Sequence, residues 1–439
     1  MNSRELAVSI LDRIINQGSY SNITLSNELN NSDLSDKDKG LVTELVYGTL
    51  RRLKSLDMII GSFVRDTSVM DKKIFSILRV AIYQMEYLDK VPSYAACNEA
   101  VEMAKEVSEK ESKLVNGILR NYVKKDGTLE IEFMNKIEEM AYEFSFDSWM
   151  IRMFIKQYGE KETVKILNGL NCTPKVTVRV NNLKYDYDEV FEELEALEYE
   201  VTEGNVCPEA IVIKGGRGLE SNPMFQEGKI TVQDESAMLV APLLDIEEGQ
   251  TVIDLCSAPG GKTTHISELL NNTGEVLAFD LHANKLDLIK STAERLGITN
   301  IKLAEMDGTK LDVKLIGLAD RLLLDVPCSG LGIIRKKPEI KWNKKRKDLK
   351  DLVFVQRDIM DNGWEYLKKD GIMIYSTCTL NKEENEENIE WFLNKHKDAE
   401  IVKVFIGNGD NFKYDNLGTL TILPNEYMDG FFVAKIKKN

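Results

Sequence analysis

Two short stretches put thiols beside acids and hydroxyls: Asp325-Val-Pro-Cys-Ser-Gly330 and Ser376-Thr-Cys-Thr379. A thiolate is a strong nucleophile, and a neighbouring carboxyl group can donate or accept a proton. Pro327 fixes its own φ and biases Val326 toward an extended shape, so Asp325 and Cys328 are presented from a stiff turn. Either cysteine alone is explained by packing, since free cysteine often behaves as a small buried hydrophobe. Each stretch, however, follows a segment that reads as a β-strand, Arg321–Asp325 and Ile372–Ser376, which places both thiols at one edge of one sheet.

A second motif lies upstream. The expected strand Thr251–Leu255 runs into Cys256-Ser-Ala-Pro-Gly-Gly-Lys-Thr263 and then an expected helix. Strand, glycine turn and helix let a ligand reach backbone amides at a helix N-terminus, and Gly260 and Gly261 carry no Cβ to obstruct it. Asp280 closes the next expected strand 20 residues after Gly260, where an acid can bind ribose hydroxyls. Asp307 follows the third strand, placed to reach an adenine edge, and Asp325 ends the fourth. One aspartate alone could equally be a helix cap; together they favour a nucleoside-bearing cofactor in the crevice at the carboxyl ends of the strands. Gly261-Lys262-Thr263 resembles the end of a nucleoside-triphosphate loop, but the first glycine of that motif would fall at Cys256, and Pro259 interrupts it.

Thiols beside a nucleoside cofactor suit one reaction well. Carbon 5 of cytosine is too weakly nucleophilic to take a methyl group directly. Thiolate addition at C6 makes C5 enamine-like and able to attack a sulfonium methyl, while an acid hydrogen-bonded to N3 stabilises the developing charge. Asp325 is placed for that role if protonated, and burial would move its pKa in the required direction. Amine-directed methyltransferases need no such thiol and carry an Asn/Asp-Pro-Pro-aromatic turn at this position.

These residues need a scaffold. From about Glu235 onward, strands (Thr251–Leu255, Glu275–Asp280, Ile301–Glu305, Arg321–Asp325, Ile372–Ser376) alternate with helices (Lys262–Leu270, Ala283–Leu296, Leu349–Leu367, Glu383–Lys395), predicting a largely parallel sheet covered on both faces. Thr419–Leu423 and Phe431–Lys437 read as a closing hairpin. Ser3 to Lys125 reads as helix throughout, a bundle in which Ser93 could cap the segment Tyr94–Val107. Between them lies a small α+β module: helices near Trp149–Tyr158, Glu160–Leu170 and Asp188–Leu197, strands near Lys175–Asn181 and Ala210–Lys214, and a turn at Gly215, Gly216 and Gly218. The expected boundaries are 1–140, 141–234 and 235–439, in keeping with about three domains for 439 residues.

Composition excludes several classes. With 43% apolar and 29% charged residues the chain reads as a protein with substantial cores. No secretory signal and no apolar run of about 18 residues is visible, so a cytoplasmic protein off the membrane is expected. The six cysteines form no CxxC pair and the three histidines are scattered, leaving little material for a metal site, a disulfide framework or a Cys–His protease. Cys97, Cys172 and Cys207 read as structural. A net charge of −15 argues against indiscriminate coating of nucleic acid but not against a local basic groove. One candidate runs from Arg335 to Lys350, with Arg335, Lys336, Lys337 and Lys341 as its expected RNA contacts and Trp342 as either a core anchor or a stacking group. Gln233 and Asp234 could approach the base, although capping of the next helix explains Asp234 equally well.

The turn Cys256–Thr263, Asp325-Val-Pro-Cys328 and Ser376-Thr-Cys378 resemble the Nol1/Nop2/Sun family of RNA 5-cytosine methyltransferases. The resemblance implies a Rossmann-like domain that uses S-adenosylmethionine, with the cofactor held by Cys256, Ser257, Ala258, Pro259, Gly260, Gly261, Lys262, Asp280, Asp307 and Asp325. It implies Cys378 as the nucleophile and Cys328 as the residue that helps release product; DNA 5-cytosine methyltransferases instead use the Pro-Cys thiol as nucleophile. The first ~125 residues, including Lys113-Leu-Val-Asn-Gly-Ile-Leu-Arg120, resemble the RNA-binding helical fold of the antitermination factor NusB. That fusion implies 16S ribosomal RNA, naked or in an assembling small subunit, as the partner of a monomeric enzyme, with neither DNA nor membrane involved. The competing readings are a transfer-RNA methyltransferase of the same mechanism and a non-enzymatic assembly or antitermination factor.

Overall fold

The computed structural model describes residues 1–125, 129–214, 219 and 222–439. They divide into two compact units, Met1–Leu167 with Ile334–Lys344, and Asn168–Ile333 with Lys345–Asn439. The first unit begins with α1 (Ser3–Gln17), α2 (Ser21–Asn30), α3 (Asp36–Arg51), α4 (Leu53–Gly61), α5 (Lys72–Tyr87), α6 (Ser93–Lys105), α7 (Glu109–Lys125) and α8 (Lys136–Phe144). Residues at helical spacing build its core: Leu6, Ile10 and Ile14 from α1 meet Val42, Leu45 and Val46 from α3 and Ile77 and Val80 from α5. Helix ends follow local chemistry. The Asn2 side chain accepts from the amides of Arg4 and Glu5, and Gly18 takes the left-handed conformation that ends α1. Ser93 is a correction: it is the first residue of α6, behind Pro92, and makes no cap. A long helical stretch, α9 (Ser148–Asn171), is broken at Gly159, whose φ of 76° suits only glycine, so the two helices expected there are two arms of a kink.

The second unit opens with a four-stranded antiparallel sheet. Its elements are β1 (Val176–Val180), α10 (Tyr187–Ala196), β2 (Glu200–Glu203), β3 (Ala210–Lys214), a one-turn α11 (Pro223–Gln226) and β4 (Ile230–Val232), in the order β2-β3-β1-β4. Val178, Val180, Ile211 and Ile213 pack against Val190 and Leu194 of α10. β2 is largely exposed and β4 has three residues, so neither carries an apolar rhythm that sequence reading could detect. The turn expected at Gly215, Gly216 and Gly218 lies outside the described residues.

After the short α12 (Glu235–Met238) comes the large sheet. In chain order its elements are β5 (Thr251–Asp254), α13 (Gly261–Leu269), β6 (Glu275–Asp280), α14 (Ala283–Leu296), β7 (Ile301–Glu305), β8 (Ala319–Asp325), α15 (Ile340–Asn343, in the first unit), α16 (Arg346–Tyr366), β9 (Leu367–Thr377), α17 (Glu386–Lys395), β10 (Ala399–Val402), β11 (Phe412–Tyr414), β12 (Leu420–Ile422) and β13 (Phe431–Lys438). The strand order is β11-β12-β13-β9-β8-β5-β6-β7, with β10 also on β13. β5 to β9 pair in parallel, and successive residues alternate between two cores: Leu322, Leu324, Met373 and Tyr375 face one, Leu323 and Ile374 the other. Burial on both faces explains their continuous apolar runs. The expected closing hairpin is β12–β13, while the short β10 and β11 were not anticipated. Among the described residues no helix is long and apolar enough to cross a membrane.

One buried cation ties the small sheet to the large one. Arg179 of β1 is fully buried, pairs with both carboxylate oxygens of Glu268 on α13 (2.8 and 3.1 Å), and donates to Gly261 O (2.9 Å), Thr264 Oγ1 (3.2 Å) and the Gln233 amide oxygen. Removing one partner of a buried pair strands the other charge, so Arg179→Ala should cost about 3–5 kcal/mol in urea unfolding, and pairing Arg179→Met with Glu268→Met should recover much of it. A stable Ala variant would contradict this assignment.

Candidate active site

The chain passes from β5 outward to β7, then returns as β8 on the other side of β5, so the carboxyl ends of β5 and β8 form a switch point where open parallel sheets bind ligands. The glycine turn leaves β5 there. Ser257 N bonds Phe279 O (2.9 Å), and Ala258 N donates to Asp280 Oδ2 (3.2 Å), seating the turn on the end of β6. The other oxygen of Asp280 accepts from His282 N at 3.0 Å. Ala258 and Pro259 are joined by a cis peptide bond, and Gly260, at φ 103° and packed on Ile289, leads into α13. The first-turn amides of Gly261, Lys262 and Thr263 are thus available to a ligand. Asp307 lies two residues past β7, where hydrogen bonds from the Thr309 hydroxyl and Lys310 hold its carboxyl below the usual range. Cys256 is half-buried, and burial followed by the charge of Asp254 pushes its thiol well up. A glycine turn at a helix start, with Asp280, Asp307 and Asp325 at the ends of three strands flanking it, is a donor set that fits the ribose, base and amino-acid parts of S-adenosylmethionine.

Across the switch point, Lys262 Nζ of α13 pairs with Asp325 Oδ2 at the end of β8 (2.7 Å), while Ser376 Oγ donates to Asp325 Oδ1 (2.9 Å). Burial pulls the Lys262 ammonium down, but the adjacent Asp325 charge more than offsets it, leaving Lys262 firmly protonated. Both Asp325 oxygens thus receive a donor, and the cation beside it is Lys262. Three residues on, Cys328 Sγ lies 3.3 Å from Cys378 Sγ. The contact with the Cys378 sulfur, in which either thiol can be the donor, then burial, hold the Cys328 thiol well above its usual range.

Behind the thiols lies a buried polar cluster that sequence reading missed. Glu384 accepts from Ser329 N (2.8 Å), Ser329 Oγ (2.5 Å), Gln356 Nε2 (3.0 Å) and Asn381 Nδ2 (3.1 Å). Ser329 Oγ also meets Thr379 Oγ1 at 2.7 Å, and Gln356 donates to Pro327 O at 3.0 Å. Ser329, the residue after Cys328, is thus held by Glu384 and meets Thr379, the residue after Cys378. Glu384 lies in the helix expected over Glu383–Lys395, but α17 begins only at Glu386. Gln233 is held by Arg179, and Asp234 caps α12 through Ser236 and also accepts from Asp429 N, which is the capping reading.

Two expected RNA contacts, Arg335 and Lys341, are corrected. Ile334–Lys344 is built into the first, helical unit. Lys341 is fully buried: its Nζ donates to Arg51 O (2.9 Å) and Ser145 O (3.0 Å) and sits 3.8 Å over the Phe146 ring. Burial, then the charges of Arg52 and Arg51, drive its pKa well down. Arg335 is 1% exposed, so neither side chain presents a cation to solvent-borne phosphate. Lys336 and Lys337 are half-buried. Trp342 donates to Leu50 O at 2.8 Å and is an anchor within that unit, as is Glu339, which receives Ser21 N and Oγ.

Two outcomes follow from this geometry. Glu384→Ala leaves the buried Ser329 amide without its acceptor, at a cost of about 1–3 kcal/mol, read as a lower urea midpoint; an unchanged midpoint would show the clamp to be dispensable. Asp254 is buried at the end of β5, with Thr263 Oγ1 donating to one oxygen (2.8 Å). Desolvation, opposed by the Thr263 bond and reinforced by Asp325, pushes its pKa up to about 7. Because that folded-state value is raised, the stability Asp254 contributes is complete below the unfolded-state pKa near 4 and is lost as pH rises through about 7. Asp254→Asn should flatten this decline in melting temperature between pH 5 and 8; a variant that tracks the parent would contradict it.

The chain matches three family models in series: the NusB family over residues 1–124, the ferredoxin-like domain of RsmF/B-like methyltransferases over 146–220, and 16S rRNA methyltransferase RsmB/F over 241–437. It is 37% identical to the probable ribosomal RNA small subunit methyltransferase B of Bacillus subtilis, covering 99% of this chain and 98% of that one. Identity to the ribosomal RNA small subunit methyltransferase B of Yersinia enterocolitica is 32%, over 100% and 99% of the two chains. The crystal structure of PH0851 superposes with a TM-score of 0.84 at 28% identity, over 100% of this chain and 99% of that one. NusB-type helices, a ferredoxin-like sheet and a methyltransferase sheet, in one order along the whole chain, make this protein a member of the ribosomal RNA small subunit methyltransferase B family.

Proposed function

We propose that this protein methylates carbon 5 of a cytosine in 16S ribosomal RNA through a covalent Cys378–C6 adduct. The observation that carries the reading is the 3.3 Å contact between Cys328 and Cys378 sulfurs at the ends of adjacent strands, beside the Lys262–Asp325 pair. Single-thiol packing does not call for two sulfurs in contact with a charged pair next to them. When bound, S-adenosylmethionine supplies an electrophilic methyl group on a sulfonium. The residues that would hold it are the turn Cys256–Lys262 with Asp280, Asp307 and Asp325. Its use here, and the cytoplasm as the place of action, belong to the same reading.

The chain's own groups divide the work. Cys378 thiolate forms the S–C6 bond, and the π pair of C5=C6 moves to C5. The Lys262 ammonium is the donor suited to N3, and the Asp325 carboxylate is an acceptor suited to the exocyclic amino group. Once C5 carries the methyl group its proton must leave. Before the attack, the contact with the Cys378 sulfur and burial hold the Cys328 thiol protonated. When Cys378 becomes bonded to carbon, the first of these causes is removed, and Cys328 gives its proton to solvent and takes the C5 proton. The S–C6 bond then breaks, its pair going to sulfur to regenerate the Cys378 thiolate, while the electrons of the broken C5–H bond re-form C5=C6. One proton per turnover is released to solvent.

The test incubates the full chain with methyl-labelled S-adenosylmethionine and unmodified 16S ribosomal RNA and identifies the methylated nucleoside. The expected result is 5-methylcytosine from the parent, at least a thousandfold less from Cys378→Ala, and an RNA–protein adduct that accumulates with Cys328→Ala. Another methylated nucleoside, or full activity in Cys378→Ala, would overturn the mechanism. Labelling of transfer RNA in place of 16S RNA would overturn the substrate.

A further inference from the structure

α16 is a crossover between parallel neighbours β8 and β9, so it enters at the carboxyl edge of the sheet, where the crevice opens, and leaves at the amino edge. Gln356 Nε2, bonded to Pro327 O at 3.0 Å, marks the level of the Pro-Cys turn. At 1.5 Å per residue, the stretch from Arg346 to Gln356 stands about 15 Å beyond that level, beside the mouth of the crevice. Its exposed side chains include Arg346, Lys347, Lys350 and Phe354. Positions 346, 350 and 354 recur every fourth residue and share one face, with Lys347 adjoining it. Phe354 is 66% exposed, on the face turned away from the buried Gln356. Lys345 is exposed at the helix start, and the acids nearby are Asp348, whose carboxylate accepts Lys345 N at 2.9 Å, and the exposed Asp351 and Asp358.

On a chain with net charge −15, a cationic stripe ending in an exposed ring is complementary to a polyanion whose bases can stack. We propose that this face of α16 holds a single-stranded stretch of the substrate RNA flanking the target nucleotide, with a base stacked on Phe354 and phosphates against Arg346, Lys347 and Lys350. The proposal rests on the reading of RNA as substrate and adds a surface and a stacking residue to it. Within the expected run from Arg335 to Lys350, it keeps cations that solvent reaches and drops the buried Arg335 and Lys341.

The experiment is equilibrium binding of the full chain to 16S ribosomal RNA and to a single-stranded RNA oligonucleotide at several salt concentrations. Melting temperature and S-adenosylmethionine binding serve as controls for folding. Phe354→Ala should weaken oligonucleotide binding about 5- to 100-fold, with Phe354→Trp restoring it. Lys347→Ala combined with Lys350→Ala should flatten the log–log salt dependence by about 1.4. Folded variants with unchanged affinity and slope would overturn the proposal and leave the face to a protein partner. Equal losses in Phe354→Trp and Phe354→Ala would overturn the stacking role. Normal α16-dependent binding without Cys378-dependent methylation would support this surface while overturning the C5 reading alone.

Discussion

Two sulfur atoms on different strands must lie within contact distance, in a crevice that a nucleotide base can enter. Parallel pairing of β8 with β9 sets their height, because Asp325 stands opposite Ser376 and each cysteine follows within three residues. Lateral spacing is set by Glu384, which gathers Ser329, Gln356 and Asn381 around one carboxylate and brings Thr379 against Ser329. Close backbone approach completes the seat: Gly332 N donates to Cys378 O at 2.9 Å, and a Cβ on Gly332 would meet Gly430 O at 2.0 Å. Placing this polar cluster in the interior carries a desolvation cost, which hydrogen bonding to nearly every donor and acceptor offsets.

The same crevice sorts its ionisable groups by environment. Asp254 and Asp325 end neighbouring strands, yet Asp254 is deeply buried with a hydroxyl donor and is pushed up to about 7, whereas Asp325 has an ammonium at 2.7 Å. Lys262 stays charged because that pairing outweighs its burial. Cys328 is held protonated by its contact with Cys378 and by burial. In the proposed reaction this coupling orders the steps, since the base for the second half is released only when the first sulfur has bonded to carbon.

Sequence reading placed the large sheet well where burial on both faces gave unbroken apolar runs; β6, β7 and α14 fall on the expected residues. Its failures share a cause, which is that polar residues can be interior. Lys341 and Arg335 read as phosphate contacts and Glu384 as a helix position, yet all three are buried, and Lys341 and Glu384 bond residues far away in sequence, Arg51 and Ser329 among them. Charge runs along a chain do not reveal which cations an inserted segment such as Ile334–Lys344 will carry into another unit. Short edge strands such as β4 and β11 carry too few residues for a period to show. Pro-Cys and Thr-Cys, by contrast, were legible because their distance from the ends of adjacent strands forces the two thiols together.

In the proposed reaction Cys378 is the sulfur that bonds to the base and Cys328 the one that takes the proton. RNA carrying 5-fluorocytosine tests it directly, since fluorine at C5 cannot leave as a proton and the adduct is trapped in the unmodified enzyme. Digestion of the trapped complex and mass mapping of the nucleotide-bearing peptide should place the modification on Cys378. A nucleotide on Cys328, or no covalent complex despite bound RNA and S-adenosylmethionine, would contradict it.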